Sequence, residues 1–466
     1  MGPIEDVASR LEAKAASFVK EHRLPGAAVG IVHGDRLAWS AGVGFADIAG
    51  RRAPDITTLY RIASITKTFT GTAIMQLRDE GLLHLDDPAA VHLPELAAAA
   101  SPFGAIEIVT IRRMLSHESG LQSDPPGTDW WVPTYEGSVE RNLARAGEVA
   151  TTLPPNTQQK YSNLAYQLLG EIVARRSGVS YPEYVRTRIL EPLSMHGSGF
   201  EPLPEALIER RATGYAARFL SDELEPASIP PTVWAEGGMW SSVEDLGRWV
   251  SFQLLEDGGT RDGAQILSGE TLKEMHTARY LGDDVWTEAF GISWYAIRKG
   301  EVIWVQHSGG LNGFITSICF DPKEKVGAIV LLNGIGDAPE LSMELGAIAR
   351  AAIREAAPPI EPPTTMPAAY RDLLGLYVDE EQAMVVRVEW RDGALQIVDP
   401  DQATWRPTLT PTEDADVFVV APGVRESGER VTFTRRADGR VVSMFLAAAT
   451  MIRFGPVEDS GQPTTR

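Results

Sequence analysis

A serine and a lysine stand three residues apart at Ser64 and Lys67, in a stretch that resembles the start of a buried helix. Residues three apart on a helix lie on one face, within reach of one another. A serine hydroxyl is a weak nucleophile near neutral pH and needs an adjacent base. Lysine can be that base only where burial disfavours its charged form, and the residues that follow favour burial because they include Phe69, Ala73, Ile74 and Leu77. The pair therefore has the residue types of an activated nucleophile. A serine and a lysine at this spacing, however, also occur often by chance.

Two motifs further along the chain could join this pair. Tyr161-Ser162-Asn163 follows a proline-containing loop and precedes an apolar helix predicted over 164–175. His307-Ser308-Gly309-Gly310 ends the first of three late strands. Each motif also has a purely structural interpretation: a core tyrosine bonded to a carbonyl, an asparagine that caps the following helix, and a histidine at a strand end.

Taken together, these motifs resemble the penicillin-recognising serine hydrolases, which include class C β-lactamases, D-Ala-D-Ala carboxypeptidases, D-aminopeptidases and family VIII esterases. The resemblance covers roughly residues 5–355. It extends to four other segments in the same order along the chain, at 110–121, 168–172, 189–195 and 237–246. Agreement at so many separate places makes a chance match of the serine and lysine improbable.

The resemblance implies roles for the first two motifs. Ser64 would be acylated, and Lys67 and Tyr161 would handle its proton, with either of them as the base. Asn163 would donate to a substrate amide and help to hold Lys67, a role compatible with capping. The main-chain N–H groups of Ser64 and Gly310 would form an oxyanion hole, each donor contributing about 3–4 kcal/mol of transition-state stabilisation.

The third motif departs from the family pattern. Gly309 and Gly310 would let a substrate lie close against the strand edge. Most β-lactamases and carboxypeptidases of the family, however, have a lysine where this chain has His307, and that lysine contacts the substrate carboxylate. Because histidine is mostly neutral at pH 7, a fixed positive charge is weakened here. His307 could contact substrate or tune Lys67, and the histidine form resembles the aminopeptidase and esterase branches.

We therefore expect a serine hydrolase that forms an acyl-enzyme on Ser64 and hydrolyses an ester, an amide or a short D-amino-acid peptide. One alternative is β-lactamase or D,D-carboxypeptidase activity. A second, from another class, is a non-catalytic penicillin-binding-like scaffold, which the retention of Ser64, Lys67, Tyr161 and Asn163 disfavours. His117 lies in a turn that is structural in the family, and Trp130-Trp131 are expected to form either pocket wall or loop anchor.

The predicted fold class is α+β, of the β-lactamase/transpeptidase type. Its core is an antiparallel five-stranded sheet, with terminal helices on one face and a large helical region on the other. The five strands are expected at 27–32, 36–40, 302–306, 314–320 and 326–332, because these segments are apolar and joined by turns. Helices over 4–22 and 338–356 would flank them.

The predicted domains are a hydrolase domain at 1–355, a proline-rich linker at 356–367, a lipocalin-like antiparallel β-barrel at 368–456 and a disordered tail at 457–466. The barrel domain resembles one appended to several peptidases of the family. We expect it either to cover the active-site mouth or to mediate self-association, so a homo-oligomer is one expectation.

Composition excludes several other classes of function. The formal net charge of −20 and the pI near 4.9 argue against nucleic acid or an anionic membrane surface as a partner. The single cysteine, Cys319, excludes an internal disulfide and is expected in the core. No membrane span, metal motif or nucleotide-binding loop is found, so no cofactor is expected. Cytoplasmic residence follows by default, or a periplasmic or secreted location if a signal peptide has been removed.

Overall fold

The computed structural model describes residues 2–125, 139–217, 224–227, 234–256, 266–356, 365–379, 384–399 and 405–454. Contacts between Cα atoms divide the chain into two compact units, Met1–Ala357 and Pro358–Arg466. The expected linker lies largely outside the described residues, and the expected tail lies entirely outside them. None of the described helices is long and apolar enough to cross a membrane.

The helices of the first unit are numbered in chain order. They are α1 Pro3–Asp6, α2 Ala8–Glu21, α3 Thr66–Asp79, α4 Ala89–His92, α5 Ile111–Leu115, α6 Val139–Ala144, α7 Asn163–Ser177, α8 Tyr181–Val185, α9 Glu205–Ile208, α10 Trp234–Gly237, α11 Val243–Gln253, α12 Gly269–His276 and α13 Ala338–Ala356. A π-helical turn, Arg186–Leu190, follows α8, and short 3-10 helices lie at Ala63–Ile65, Pro94–Ala98, Ile106–Ile108, Ala146–Glu148 and, in the second unit, Ala368–Tyr370.

The strands are numbered in the same way. In the first unit they are β1 Gly26–His33, β2 Arg36–Gly44, β3 Tyr60–Arg61, β4 Tyr215–Ala217, β5 Leu224–Pro226, β6 Trp240–Ser241, β7 Tyr280–Leu281, β8 Glu288–Phe290, β9 Tyr295–Lys299, β10 Val302–Leu311, β11 Phe314–Asp321 and β12 Val326–Leu332. In the second unit they are β13 Gly375–Asp379, β14 Met384–Arg391, β15 Ala394–Val398, β16 Thr408–Pro411, β17 Val417–Val420, β18 Arg430–Arg435, β19 Val441–Leu446 and β20 Ala449–Phe454.

The central sheet has eight strands, in the order β2-β1-β12-β11-β10-β9-β8-β7. The five-stranded prediction was wrong in number because it omitted β7, β8 and β9. These strands are two to five residues long and lie at one edge, where little apolar alternation is needed. All five predicted strands are present, and each paired strand of the sheet is antiparallel to its neighbour.

The alternation of side chains along the central strands divides the core into two layers. On β1, Ala27, Val29 and Ile31 pack with helices α2 and α13. Ala28 and Val32 on the same strand point to the opposite face, where they pack with the helical region. This period of two is what a strand buried on both faces requires. The predicted arrangement, with terminal helices on one face and the helical region on the other, is confirmed.

The helix that carries Lys67 runs through the middle of the helical region. Every residue of α3 from Thr66 to Leu77 is buried, so polar groups on the helix must find partners inside the protein. Phe69, on the turn after Lys67, stacks on Trp249 of α11 with ring centroids 3.9 Å apart. The stack holds α3 against α11.

Cys319 is buried in the core between the sheet and α13, as predicted.

The second unit contains a closed antiparallel barrel of eight strands, β13 to β20, in sequence order. It closes where β13 pairs with β20. Residues that alternate along each strand fill the interior, among them Tyr377, Val388, Phe433 and Met444. The predicted C-terminal barrel is confirmed in form. The prediction that it covers the active-site mouth or mediates self-association stays a prediction.

Candidate active site

Ser64 lies in the 3-10 helix Ala63–Ile65, which leads directly into α3. The residue before it, Ala63, has a φ of 46°, a left-handed conformation that is uncommon for a residue with a side chain. Ile65 N–H donates to Ile62 O, which tightens this turn. Ser64 is half-buried whereas Ala63 and Ile65 are buried, so the turn exposes the serine side chain.

Lys67 meets Ser64 one turn into the helix. Its Nζ atom lies 3.1 Å from Ser64 Oγ, 2.8 Å from Asn163 Oδ1 and 2.6 Å from the main-chain oxygen of Glu236. These three acceptors come from the serine turn, from the first residue of α7 and from α10. The lysine side chain is therefore fixed in one position, with its nitrogen directed at the serine oxygen.

Burial controls the charge of Lys67, whose residue is 0% exposed. Desolvation lowers the pKa of Lys67 from 10.5 to about 7, against the opposing attraction of Glu236 and Asp124. A substantial fraction of this lysine is then neutral near pH 7. A neutral amine 3.1 Å from a hydroxyl oxygen is able to accept its proton.

Tyr161 lies beside this pair. Its hydroxyl lies near Ser64, and Lys67 Nζ lies 5.0 Å from the centroid of its ring. Burial is the main reason why the pKa of Tyr161 is raised well above its ordinary value, and the neighbouring Tyr295 raises it further. Tyr161 therefore retains its proton where Lys67 has lost its own. Near neutral pH, Lys67 can accept a proton and Tyr161 can donate one.

Asn163 is held between Lys67 and Asp124. Its Oδ1 accepts from Lys67, and its Nδ2 donates to Asp124 Oδ1 at 2.9 Å. The helix cap is not Asn163 itself but Ser162, whose hydroxyl accepts from the N–H of Ala165 at 3.0 Å. The predicted contact of Asn163 with Lys67 is thus present in the geometry, and Asp124 sets which way the amide faces.

The third motif lies along β10, beside the serine turn. Strand β9 pairs only with Val302–Gln306, so among the described residues the half of β10 from His307 onward has no strand partner on that side. A Cβ atom at Gly309 would lie 2.1 Å from Ile62 O, so only glycine permits this approach of the turn to the strand. Gly310 is exposed. A substrate carbonyl could lie between the N–H groups of Gly310 and Ser64.

His307 is buried, with 1% of its surface exposed. Its Nδ1 lies 2.8 Å from Ser308 O, and its ring packs edge-on against Tyr295. Desolvation, and secondarily the charge of Lys67, lower the pKa of His307 to about 3, so the ring is neutral at pH 7. This side chain does not supply the fixed positive charge that a lysine would supply at the same place.

Three groups near the nucleophile were not selected from the sequence. Glu236 binds Lys67 through its main-chain oxygen, and Asp124 orients Asn163. The His117 ring stacks 4.2 Å from that of Tyr161, and its Nδ1 accepts from Ser162 N–H at 3.2 Å, which supports a structural role for this turn. The acidic residue before the Gly237-Gly238 turn, in an otherwise apolar segment, was the one available signal for Glu236.

Residues suited to a metal ion are not gathered in the parts of the chain that the structure describes. No group of three or more His, Cys, Asp and Glu side chains there is arranged to hold a metal ion. Trp130-Trp131 lie outside the described residues, so their expected role as pocket wall or loop anchor stays a prediction.

The chain is similar in sequence to two curated bacterial proteins. Protein flp of Staphylococcus aureus (strain COL) is 29% identical over 332 residues, which are 68% of this chain and 61% of that protein. The match thus covers less than two thirds of the length of Protein flp. The D-alanyl-D-alanine-carboxypeptidase/endopeptidase AmpH of Escherichia coli (strain K12) is 27% identical over 286 residues, covering 60% of this chain and 72% of AmpH.

Among solved structures, the octameric penicillin-binding protein homologue from Pyrococcus abyssi has a TM-score of 0.63 at 25% identity. That match covers 96% of this chain and 99% of the other, so it includes both units. The family model described as Beta-lactamase matches residues 11–353, which contain all three motifs. The chain therefore belongs to the Beta-lactamase family, a superfamily of serine hydrolases.

Proposed function

We propose that the protein is a serine acyl hydrolase that forms an acyl-enzyme on Ser64 with an ester or amide substrate. One observation carries this proposal: the nitrogen of a fully buried lysine lies 3.1 Å from the oxygen of a half-buried serine. Burying a lysine costs free energy that a purely structural residue would not require. The arrangement favours a catalytic role over the scaffold alternative.

The proton-transfer roles follow from the charge states of the two candidates. Lys67 is the better base, because its pKa is lowered to about 7 whereas that of Tyr161 is raised. As Ser64 Oγ bonds to the carbonyl carbon, its proton moves to Lys67 Nζ. The negative charge that develops on the carbonyl oxygen is stabilised by the N–H groups of Ser64 and Gly310.

Tyr161 completes the proposed cycle. Its protonated hydroxyl, which lies near Ser64, donates to the departing amine or alcohol as the carbon–leaving group bond breaks. The resulting tyrosinate recovers a proton from Lys67, which returns to the neutral form. Water then attacks the acyl-enzyme as Lys67 accepts its proton, and Lys67 passes that proton to Ser64 Oγ as the bond between Oγ and the acyl carbon breaks.

The electrostatics support a substrate without a carboxylate next to the scissile bond. His307 is neutral where a family lysine would bind that carboxylate, and Asp124 adds a negative charge close to Asn163. Esterase, amidase or D-amino-acid peptidase activity is therefore favoured over β-lactamase activity. The name of AmpH supports D,D-carboxypeptidase activity as the second candidate.

The proposal is tested by hydrolysis of p-nitrophenyl butyrate by the wild type and by Ser64→Ala. Loss of the nucleophile should lower kcat about a thousandfold or more. Ser17→Ala, an exposed serine on α2, is the matched control and should retain full activity. Full turnover by Ser64→Ala would contradict the proposal. A following panel of D-amino-acid amides, a D-Ala-D-Ala peptide and benzylpenicillin separates the candidate substrates.

We also propose that the chain forms a homo-oligomer. The support is the likeness along both units to a homologue whose structure is described as octameric. Light scattering coupled to size-exclusion chromatography tests this, and a mass of 50.7 kDa at micromolar concentration would contradict it.

A further inference from the structure

Glu236 is a buried acid whose main chain contacts the lysine. It lies on α10, is 3% exposed, and its main-chain oxygen accepts from Lys67 Nζ at 2.6 Å. Its carboxyl is only a few bonds from that oxygen and lies within the electrostatic field of the lysine. The proposed reaction cycle does not use this carboxyl.

The hydrogen bonds of the Glu236 carboxyl are incomplete. Oε1 accepts from Gln167 Nε2 at 2.9 Å, and Gln167 Oε1 in turn accepts from Asn142 Nδ2 at 2.6 Å. Oε2 has no partner, and Glu236 takes part in no ion pair, among the described residues. A fully ionised carboxylate would be costly in such a setting. The site is better suited to a carboxyl that carries a proton for part of the time.

Other titratable groups surround the Glu236 and Lys67 side chains. Arg61 stacks on Trp240 and is attracted to Glu236 without pairing with it. The remaining groups around the two side chains come from the segment after α5, the turn before α7, helices α7 and α8, and strand β10: Asp124, His117, Tyr161, Tyr166, Tyr181 and His307. The two histidines are neutral and the three tyrosines retain their protons, which leaves Lys67 as the group that exchanges charge with Glu236.

We propose that Glu236 is a positioning residue whose buried carboxyl shares one proton with Lys67, so that the pair sets the pH at which the site becomes basic. In one form of the pair the proton is on Lys67 and Glu236 is a carboxylate. In the other form Lys67 is a neutral amine and Glu236 a neutral acid. Both forms have zero net charge, so the buried site does not have to hold an isolated charge in either.

The directions of the two titrations agree with this sharing. Burial raises the pKa of Glu236 to about 8, and burial lowers that of Lys67 to about 7, so both groups titrate in the same range. Each charge opposes the shift of the other: Glu236 raises the pKa of Lys67, and Lys67 lowers that of Glu236. Removing the acid should therefore make Lys67 lose its proton at lower pH.

The inference rests on the proposed function, because it assigns the rise of activity with increasing pH to the loss of a proton from Lys67. This rising part of the pH profile is called the acid limb below. Glu236→Gln retains the main-chain oxygen and an amide that can accept from Gln167, but it removes the charge. The acid limb of kcat/KM for p-nitrophenyl butyrate should move to lower pH by about one unit. Glu236→Ala, which also keeps the main-chain oxygen, should move it in the same direction and covers the case in which the glutamine variant does not fold.

Asp245→Asn is the matched control. Asp245 is another buried acid of the same unit, held by Ser198, Gly197 N–H and Arg248 and not bonded to Lys67. This variant is expected to lower stability and to leave the acid limb in place. If the acid limb of Glu236→Gln lies at the same pH as that of the wild type, the inference is overturned. A purely structural role of Glu236 would lower stability without moving the acid limb.

A direct titration separates failure of this inference from failure of the proposed function. NMR of protein labelled with 15N-lysine reports the protonation of Lys67 without any substrate, with Lys67→Met identifying the signal. A lower pKa of Lys67 in Glu236→Gln than in the wild type supports the inference even if the ester is not hydrolysed. An equal pKa in both proteins refutes it even if the ester is hydrolysed.

Discussion

Replacing Asn163 by aspartate tests how the charge around Lys67 governs the chemistry. Asn163 Oδ1 lies 2.8 Å from Lys67 Nζ, so Asn163→Asp places a carboxylate oxygen against the nitrogen with little change in shape. An opposite charge at this distance in a buried site raises a lysine pKa by about one to three units. The variant should therefore hold Lys67 in the charged form that cannot accept the serine proton.

The magnitude follows from the pKa of Lys67, which is about 7. About half of the lysine is neutral at pH 7, and a rise of about two units leaves roughly 1% neutral. The expected loss of kcat/KM at pH 7 is then about 50-fold, or about 2.3 kcal/mol, because half of the lysine was already charged in the wild type and the full two units would be about 2.7 kcal/mol. Because only the protonation equilibrium has moved, most of the activity should return between about pH 9 and 10.

The assay is the release of p-nitrophenol from p-nitrophenyl butyrate between pH 6 and 10, after subtraction of spontaneous hydrolysis. Asn163→Ala removes the same hydrogen bonds without adding charge, so its loss of activity should not recover at high pH. Since Asp124 faces the new carboxylate, Asn163→Asp combined with Asp124→Asn removes the repulsion between the two acids and should also move the acid limb to higher pH. If both variants that carry Asn163→Asp have their acid limb at the same pH as the wild type, the reasoning is refuted.

Three further outcomes are expected. Tyr161→Phe should lower kcat about 100-fold or more for an amide, whose amine must be protonated to leave, and much less for a p-nitrophenyl ester, whose leaving group departs as an anion; equal losses on both substrates would contradict the proposed role. His307→Lys should increase the rate of acylation by a fluorescent penicillin about tenfold or more by supplying a cation for its carboxylate, as measured by labelling on gels, and an unchanged rate would count against the selectivity argument. Trp249→Ala removes the ring stacked on Phe69 and should lower the free energy of unfolding of the first unit by about 3–5 kcal/mol in urea titrations, whereas a loss below about 1 kcal/mol would mean that this stack does not hold α3.

The sequence predicted the parts of the fold whose apolar pattern is strong and local. Strands β1 and β12 are continuous apolar runs and helix α13 carries a helical apolar pattern, so their positions were correct to within a residue or two. Strands β7, β8 and β9 are short and lie at or near an edge. Their pairing depends on contacts made after the sheet has formed, which no local pattern records.

The candidate site divides along the same line. Ser64, Lys67, Tyr161 and Asn163 could be selected because their residue types and motifs are those that acyl transfer needs, and the fold brings all four together. Glu236 could not, since it is 169 residues from Lys67 and its importance comes from burial against the lysine. The sequence likewise left open whether His307 contacts substrate, and its charge state depends on burial by Tyr295 and its neighbours.

The most direct test of the central claim is to trap the acyl group. The wild type is mixed with p-nitrophenyl butyrate, quenched in acid within milliseconds, digested and examined by mass spectrometry, with Ser64→Ala treated in parallel. We expect one butyryl group on the peptide that contains Ser64 in the wild type and none in the variant. A butyryl group on another residue during turnover, or turnover by Ser64→Ala at the wild-type rate, would contradict the claim that Ser64 is the nucleophile.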